Sequence, residues 1–283
     1  MNIVKPINIF ITGASSGIGQ ALAHEYAKRC SESRMDTDSQ SIDNKHVNVN
    51  IGLVSRRSEY LQKLAEELQN SYKVTCAIYP LDVRDSAALQ TAAQDFIAKF
   101  GVPDIVIANA GVSRGTLTEE KDDNKAIQAI FDINVMGVVN TFQPFIAAMK
   151  QAGQGQLVGV ASVAGIRGIP GSGAYSASKA AVISYCESLR TEMQHYNIAV
   201  STIAPGYIRT PMTELNQYKM PFLMDADMFA HKFVNAVEAK VRFKIIPWQM
   251  GIIARIMRLI PPFLWDYLMK SAPHKRRLDW DWL

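Results

Sequence analysis

The sequence predicts an α/β protein, in which a doubly wound parallel sheet of about seven strands is flanked by helices and followed by a C-terminal helical extension. Short apolar runs alternate with longer helix-patterned stretches, which is typical of parallel strands joined by right-handed helical crossovers. A glycine-rich segment, residues 13–19, directly follows the first apolar run. With 48% hydrophobic and 20% charged residues among 283, the chain can bury a sizeable core. We expect one domain over residues 1–246 and an extension over residues 247–283.

Strands and helices are expected to alternate along the whole domain. The predicted strands cover residues 7–12, 49–55, 74–81, 105–108, 156–162, 198–204 and 241–246. The predicted helices cover residues 20–29, 59–69, 86–100, 121–150, 174–196 and 228–240. A polar, aperiodic segment, residues 31–47, is longer than most connections, which indicates a flexible surface insertion. Because it joins the first helix to the second strand, it should lie away from the ligand-binding carboxyl ends of the strands.

The segment after the first strand has the features of a phosphate-binding loop. Gly13, Gly17 and Gly19 have the spacing GxxxGxG and lead into the first predicted helix. Glycines let the backbone approach a pyrophosphate closely, and a helix N-terminus offers unpaired N–H groups and a positive dipole end. This spacing alone is a weak signal, and the alternative interpretation is an ordinary glycine-rich turn.

The end of the second strand indicates which dinucleotide would bind. An acidic residue here is typical of NAD-binding folds, whereas an arginine accommodates the 2′-phosphate of NADP. Ser55 and Arg56 occupy this point, Arg57 is a further candidate, and the next acidic residue is Glu59. The sequence therefore favours NADP(H) without excluding NAD(H). The alternative is that two arginines simply begin a solvated helix.

Three residues between positions 162 and 179 have a spacing that suits proton transfer. Tyr175 and Lys179 are four residues apart in a predicted helix, so both side chains lie on one face. A nearby ammonium stabilises a phenolate, and we expect it to lower the pKa of Tyr175 towards neutrality. Ser162 ends an apolar run, which places a hydroxyl at the carboxyl end of a strand. Taken alone, Tyr-x-x-x-Lys also occurs by chance on many helices.

Six motifs in a fixed order carry a family resemblance. They are Thr12-Gly13-Ala-Ser-Ser-Gly17-Ile-Gly19, Asn109-Ala-Gly111, Asn134, Ser162, Tyr175-x-x-x-Lys179, and Pro205-Gly206 with Thr210. Over residues 7–212 the sequence resembles the short-chain dehydrogenases/reductases. The resemblance implies a Rossmann-like fold, an NAD(P)-dependent oxidoreductase activity that needs no metal, and a homodimer or homotetramer.

The resemblance also implies roles for individual residues. Tyr175 would be the general acid in carbonyl reduction or the base in alcohol oxidation, and Ser162 would bond the substrate oxygen. Lys179 would bond the nicotinamide ribose, and Asn134 would hold a water for proton resupply. The residues implied in cofactor binding are Gly13, Ser15, Ser16, Gly17, Ile18, Gly19, Ser55, Arg56, Asp82, Val83, Asn109, Ala110, Gly111, Tyr175, Lys179, Pro205, Gly206, Ile208 and Thr210.

The substrate is indicated by segments outside these motifs. A predicted substrate loop, residues 207–225, is rich in apolar residues and suggests a lid over a hydrophobic substrate, although Met-rich stretches also pack in cores. The extension resembles the family branch with hydrophobic C-terminal helices. We therefore expect an NADP(H)-dependent carbonyl reductase, or the reverse alcohol dehydrogenase, acting on a small hydrophobic substrate. The alternatives are a 3-oxoacyl-thioester reductase and, from another class, a non-catalytic NADP(H) sensor.

Charge and cysteine content indicate the cellular location and the partners of the protein. Three widely spaced cysteines and the lack of a signal-peptide pattern indicate a cytoplasmic protein without a disulfide framework or zinc site. Residues 240–277 contain nine Lys and Arg against one Asp, which favours a local anionic partner over general nucleic-acid binding. Arg255 and Arg258 disfavour a spanning helix. Residues 247–277 either touch a membrane peripherally or pack over the cleft or a second subunit.

Overall fold

The computed structural model describes residues 5–35, 48–216, 218–275 and 277. The strands within these ranges are β1 (Ile7–Thr12), β2 (Val49–Ser55), β3 (Thr75–Pro80), β4 (Ile105–Ala108), β5 (Gly155–Val160), β6 (Ile198–Pro205), β7 (Ile208–Arg209), β8 (Met224–Asp225) and β9 (Phe243–Ile246). Seven of them form one sheet in the order β3-β2-β1-β4-β5-β6-β9, with every neighbouring pair parallel. β7 and β8 form a separate parallel pair. The predicted doubly wound sheet is confirmed.

The helices flank this sheet and continue beyond it. They are α1 (Gly17–Met35), α2 (Ser58–Tyr72), α3 (Ser86–Phe100), α4 (Asp123–Phe131), α5 (Gly137–Ala152), α6 (Gly173–Met193), α7 (Pro211–Glu214), α8 (Ala226–Glu238), α9 (Trp248–Leu259) and α10 (Pro262–Met269). A π-helical turn, Asp132–Met136, joins α4 to α5, so the single helix predicted over residues 121–150 contains a widened turn. α9 and α10 are the predicted C-terminal helices.

The first helix is longer than the sequence predicted. α1 continues to Met35, whereas the polar pattern predicted an insertion from residue 31. Lys28 and Glu32 form an ion pair of 3.6 Å across one turn, and the Ser31 hydroxyl donates to the carbonyl of Lys28. Polar side chains therefore extend the solvent-facing end of the helix instead of ending it. The rest of the predicted insertion, residues 36–47, lies outside the described residues.

The core lies in two layers, one on each face of the sheet. Along β1, Ile9 and Ile11 pack towards α1, α2 and α8, and Phe10 between them packs towards α3, α5 and α6. The ring of Phe10 lies 5.4 Å from that of Phe96 and 4.8 Å from that of Phe145, measured between centroids. Helices thus cover both faces of β1, which explains why the four residues Ile7, Ile9, Phe10 and Ile11 of this strand are apolar.

The strand order reverses between β1 and β4, which opens a crevice at their carboxyl ends. After β4, Asn109 donates its backbone N–H to Thr12 Oγ1 at 3.2 Å and its side-chain amide to the Thr12 carbonyl at 3.0 Å. These bonds tie the loop after β4 to the glycine loop after β1. The fold therefore brings two of the sequence motifs together at the edge where sheets of this kind bind ligands.

The C-terminal helices pack back on the domain. Arg167 donates to the carbonyls of Met257 and Ile260 at the end of α9, and its guanidinium lies 4.5 Å from the centre of the Trp265 ring. Arg258 in turn donates to the carbonyl of Ile166 at 3.2 Å. These contacts hold α9 and α10 beside the segment that leads into α6. Within the described ranges, no helix has both the length and the apolar character needed to cross a bilayer.

Candidate active site

Two cavities meet at the carboxyl edge of the sheet. The first, of about 560 Å³, follows the opening between β1 and β4, and we call it the crevice. The second, of about 830 Å³, lies beneath α9 and α10, and we call it the C-terminal cavity. Both are bounded by Ser162, Tyr175, Gly206, Met212 and Thr213. The predicted catalytic phenol and hydroxyl therefore face both cavities at once.

The crevice collects the residues that the sequence predicted to bind a cofactor, with one exception. Its lining includes Gly13, Ser15, Ser16, Gly17, Ile18, Ser55, Arg56, Asp82, Val83, Asn109, Ala110, Gly111, Tyr175, Lys179, Pro205, Gly206, Ile208 and Thr210. Lining residues that the sequence reasoning missed are Leu81, Val112, Ile133, Val160, Ala161, Pro211, Met212 and Thr213. Most of these are apolar residues near strand ends, where no motif distinguishes them from ordinary core.

The exception is Gly19, which does not line the crevice and instead packs against the backbone of the glycine loop. A Cβ atom on Gly19 would lie 2.2 Å from the carbonyl oxygen of Gly13 and 2.6 Å from Asn109 Nδ2. Real Cβ atoms do not approach other atoms this closely, so only glycine permits α1 to pack here. The family resemblance placed Gly19 among the cofactor-binding residues, and the structure shows it packed against the backbone of the loop instead.

Arg57 is the basic residue that reaches the glycine loop. Its Nη2 donates to the hydroxyls of Ser15 and Ser16, in both cases at 2.8 Å. Arg56, predicted as the main residue for a 2′-phosphate, lies in the same crevice and approaches Asp82 at 3.8 Å. The sequence named Arg57 only as a further candidate, since its direction depends on side-chain bonds across 41 and 42 positions of the chain.

The residues predicted for proton transfer lie together. Lys179 is 4% exposed, donates from Nζ to the carbonyl of Val160 at 2.9 Å, and has this nitrogen 6.0 Å from the centre of the Tyr175 ring. Ser162 follows β5, and its Oγ accepts the N–H of Ala164 at 3.2 Å. Tyr175 and Ser162 both line the crevice and the C-terminal cavity. One face of α6 and one strand end thus bring a phenol, an ammonium and a hydroxyl into one place.

The pKa of Tyr175 departs from the sequence expectation. Burial raises the pKa of its phenol, and the hydrogen bond with Ser162 acts in the opposite direction. Burial also lowers the pKa of Lys179 to about 8, because the ammonium loses its water. The prediction that Lys179 lowers the pKa of Tyr175 towards neutrality was therefore wrong, since the pKa of the phenol is raised. The ammonium is directed at the Val160 carbonyl, and the phenol is poorly solvated.

Asn134 lies in the π-helical turn and is fully buried. Its Oδ1 accepts the N–H of Val112 at 2.8 Å, while Nδ2 donates to the Val112 carbonyl at 2.9 Å and to Ser178 Oγ at 3.0 Å. Such turns occur frequently at functional sites. A Cβ atom on Gly111 would come within 3.3 Å of both Asn134 Oδ1 and Lys179 Nζ. A glycine at this position therefore leaves the space between the two polar groups open.

The C-terminal cavity has largely apolar walls. α9 and α10 contribute Met250, Ile253, Met257, Trp265 and Met269. From the predicted substrate loop come Tyr207, Met212, Tyr218 and Pro221. The other apolar residues of that loop do not all face this cavity: Phe222, Leu223 and Met224 line a separate cavity beside α8. In this part of the loop β8 pairs with β7, with Met224 opposite Ile208.

Comparison with known proteins agrees with this architecture. Residues 8–220 match the family model described as short chain dehydrogenase. An uncharacterized oxidoreductase of Myxococcus xanthus is 34% identical over 259 residues, which cover 90% of this chain and 93% of that protein. A 3-oxoacyl-[acyl-carrier-protein] reductase of Thermotoga maritima is 33% identical over 205 residues, covering 72% of this chain and 75% of that protein.

Solved structures share the fold. A short-chain dehydrogenase from Sphingobium yanoikuyae in complex with NADPH superposes with a TM-score of 0.71 at 23% identity, covering 90% of this chain and 97% of that one. A short chain dehydrogenase/reductase from Burkholderia phymatum in complex with NAD gives a TM-score of 0.74 at 21% identity, covering 98% and 99%. From the family match and the fold together, this chain belongs to the short-chain dehydrogenase/reductase family of oxidoreductases.

Proposed function

We propose that this oxidoreductase transfers hydride between NADP(H) and the carbonyl or alcohol carbon of a hydrophobic substrate, with Tyr175 as the proton donor or acceptor. The observation that carries the proposal is the position of Tyr175 and Ser162 on the wall shared by the crevice and the C-terminal cavity. A dinucleotide in the crevice and an apolar molecule in the C-terminal cavity would meet at these two side chains. Reacting groups held side by side gain a large rate advantage.

The crevice fits a phosphorylated dinucleotide. Gly13 and Gly17 have positive φ angles of 70° and 56°, and Gly17 would contact Thr210 at 3.1 Å if it carried a Cβ atom. The loop therefore offers backbone N–H groups at the start of α1 to a pyrophosphate. Bound here, the cofactor would supply or accept the hydride at its nicotinamide ring.

The chain's own residues supply the proton and the alignment. In the reductive direction Tyr175 gives its hydroxyl proton to the substrate oxygen while the carbonyl carbon receives the hydride, which yields the alcohol. Ser162 donates a hydrogen bond to the same oxygen as negative charge develops on it. The Lys179 ammonium returns a proton towards Tyr175 and is reprotonated from solvent through a water that Asn134 would hold in the open space at Gly111. Alcohol oxidation reverses each of these steps.

We expect Arg56 and Arg57 to decide the preference for NADP(H). Replacing both with Ala should raise the Kd for NADPH by about tenfold or more, since each charge-assisted bond to phosphate contributes roughly 1.5–3 kcal/mol. The Kd for NADH should change by less than about threefold, because NADH lacks the 2′-phosphate. Titration by protein-to-cofactor fluorescence energy transfer measures both constants. Equal losses for the two cofactors would instead point to damage to the glycine loop through Ser15 and Ser16.

Two alternatives remain distinguishable by experiment. A 3-oxoacyl-thioester reductase is supported by the Thermotoga maritima relative, although that similarity covers only 72% of the chain. A spectrophotometric screen of NADPH oxidation with ketones, aldehydes and 3-oxoacyl thioesters separates this activity from the proposed one. A non-catalytic NADP(H) sensor would bind cofactor and oxidise it with none of these compounds.

Elution volume with light scattering tests the homodimer or homotetramer that the family resemblance implies.

We further propose that the outer face of α9 and α10 touches an anionic membrane surface. Leu259, Phe263 and Tyr267 are 82%, 76% and 76% exposed, and Ile256 beside them is 56% exposed. The inner faces of the same helices line the C-terminal cavity, so an apolar substrate would have a short path from the lipid. The excess of basic residues in this region complements anionic headgroups. It therefore favours an anionic bilayer, and not an apolar groove on another protein, as the partner of this face.

The membrane contact is tested by co-sedimentation with vesicles that contain phosphatidylglycerol. Leu259→Glu combined with Phe263→Glu should reduce the bound fraction about tenfold, because it replaces exposed apolar area with negative charge. Tyr196→Glu, at a 41% exposed site outside the extension, is the control and should bind as the unaltered protein does. If the unaltered protein stays in the supernatant, the membrane proposal fails.

A further inference from the structure

Three residues that follow α10 line the C-terminal cavity, namely Ala272, Pro273 and Lys275. Arg277 is held by two acidic residues. Its Nε donates to Asp123 Oδ2 at 3.0 Å, and its Nη2 lies 3.5 Å from Glu120 Oε2. Asp123 is only 6% exposed and also accepts the N–H of Leu117 at 2.7 Å, so this anchor is well fixed. Arg277 is therefore anchored beside α4.

Lys275 lies at the end of the C-terminal cavity that contains Tyr175. Its Nζ donates to Ser113 Oγ at 2.6 Å and lies 5.6 Å from the centre of the Tyr175 ring. No Asp or Glu belongs to the cavity lining among the described residues. The salt bridges found within the described ranges pair Arg277 with acids but not Lys275. A hydroxyl is thus the partner that the structure gives this ammonium.

An ammonium in an apolar cavity without an opposite charge is costly to keep. Burial lowers the pKa of Lys275 to about 8, so most of it still carries its charge at pH 7. A negatively charged ligand group beside Nζ would restore the lost solvation. The lining also contains polar side chains, including the exposed Lys219, but the walls contributed by α9 and α10 are apolar, which suits the hydrocarbon part of the same ligand.

We propose that Lys275 is a specificity-determining residue that binds a carboxylate of the substrate, so that the enzyme acts on apolar oxo acids or hydroxy acids. The inference rests on the proposed function, because it places the carboxylate a few bonds from the carbonyl that reacts at Tyr175. The hydrocarbon chain of the acid then lies against Met257, Trp265 and Met269. A thioester has no charge at this position, so the inference also favours free acids over acyl thioesters.

The kinetic test compares 2-oxodecanoate with its methyl ester, which differ in charge and little in size. The unaltered enzyme should show a kcat/KM for the acid about tenfold or more above that for the ester, the effect expected of one charged hydrogen bond. Lys275→Met should remove this preference mainly by raising KM for the acid, and Lys275→Arg should retain most of it. Lys125→Met, an exposed lysine on α4, should change neither substrate. Ester turnover by Lys275→Met shows that the variant is folded.

A binding measurement separates failure of the inference from failure of the proposed function. Decanoate has the carboxylate but no carbonyl, and calorimetry measures its affinity whether or not turnover occurs. We expect Lys275→Met to bind decanoate about tenfold more weakly than the unaltered protein, and Lys125→Met to bind it equally. Equal binding by Lys275→Met and the unaltered protein, or equal losses for acid and ester turnover, overturns the inference. If other ketones are still reduced with NADPH, the proposed function stands without it.

Discussion

Replacing Tyr175 with Phe should lower kcat by about 10³-fold or more, within the range found when a positioned general acid is lost. The variant keeps the aromatic ring, so the wall between the crevice and the C-terminal cavity retains its shape. It loses only the hydroxyl that would reach the substrate oxygen. The affinity for NADPH should therefore stay within about twofold of the unaltered protein, because phosphate and ribose contacts dominate cofactor binding.

The matched control for this prediction is Tyr185→Phe. Tyr185 lies on the same helix, α6, is half-buried, and lines neither the crevice nor the C-terminal cavity. Stopped-flow measurement of NADPH oxidation gives the rate, and cofactor fluorescence gives the affinity. Turnover by Tyr175→Phe within about tenfold of the unaltered enzyme would contradict the assigned role, since a proton donor contributes at least about a hundredfold.

Replacing Gly19 with Ala should weaken both the fold and cofactor binding. The added methyl would lie 2.2 Å from the Gly13 carbonyl oxygen and 2.6 Å from Asn109 Nδ2, so α1 and the glycine loop must move apart. Overpacking of this kind costs about 1–3 kcal/mol, which lowers Tm by roughly 2–12 °C for a domain of this size. The displaced loop should also raise the Kd for NADPH by about tenfold or more, because its backbone N–H groups no longer meet the pyrophosphate.

Gly168→Ala provides the comparison for this prediction. Gly168 is exposed, and a Cβ atom built on it has no neighbour within 4 Å. This variant should unfold within about 0.5 kcal/mol of the unaltered protein, as surface substitutions usually do. Differential scanning calorimetry, with and without NADPH, measures both variants. A Gly19→Ala protein with unchanged Tm and unchanged stabilisation by NADPH would show that the loop accommodates the methyl group.

Local patterns predicted the fold well, because the periodicity of strands and helices depends on residues that are close together in the sequence. The bounds of β1, β2 and β4 agree with the prediction residue for residue, and the Tyr175–Lys179 spacing placed both side chains on α6. The end of α1 was predicted less well. Polar residues at its end are equally compatible with a solvated helix and with a loop, and only the bonds between Lys28, Ser31 and Glu32 distinguish the two.

Features that depend on distant contacts were not predictable in the same way. The direction of Arg57 depends on hydroxyls in the glycine loop, 41 and 42 positions away. The pKa of Tyr175 depends on burial and on where the Lys179 ammonium points, neither of which follows from four-residue spacing. Gly19 was predicted to bind the cofactor, but its packing against Gly13 appears only when both segments are in place.

The sequence by itself determined the class of the sheet and the order of its elements, because these follow from periodicity. The motif set of an oxidoreductase was identified by its resemblance to a known family. The tertiary structure alone decided what surrounds the Tyr175 phenol. Lys275 lies one hundred positions after Tyr175 in the chain, and a contact to Ser113 across 162 positions brings it to the cavity. Such a neighbour is set by how the extension packs on the domain, which no local pattern encodes.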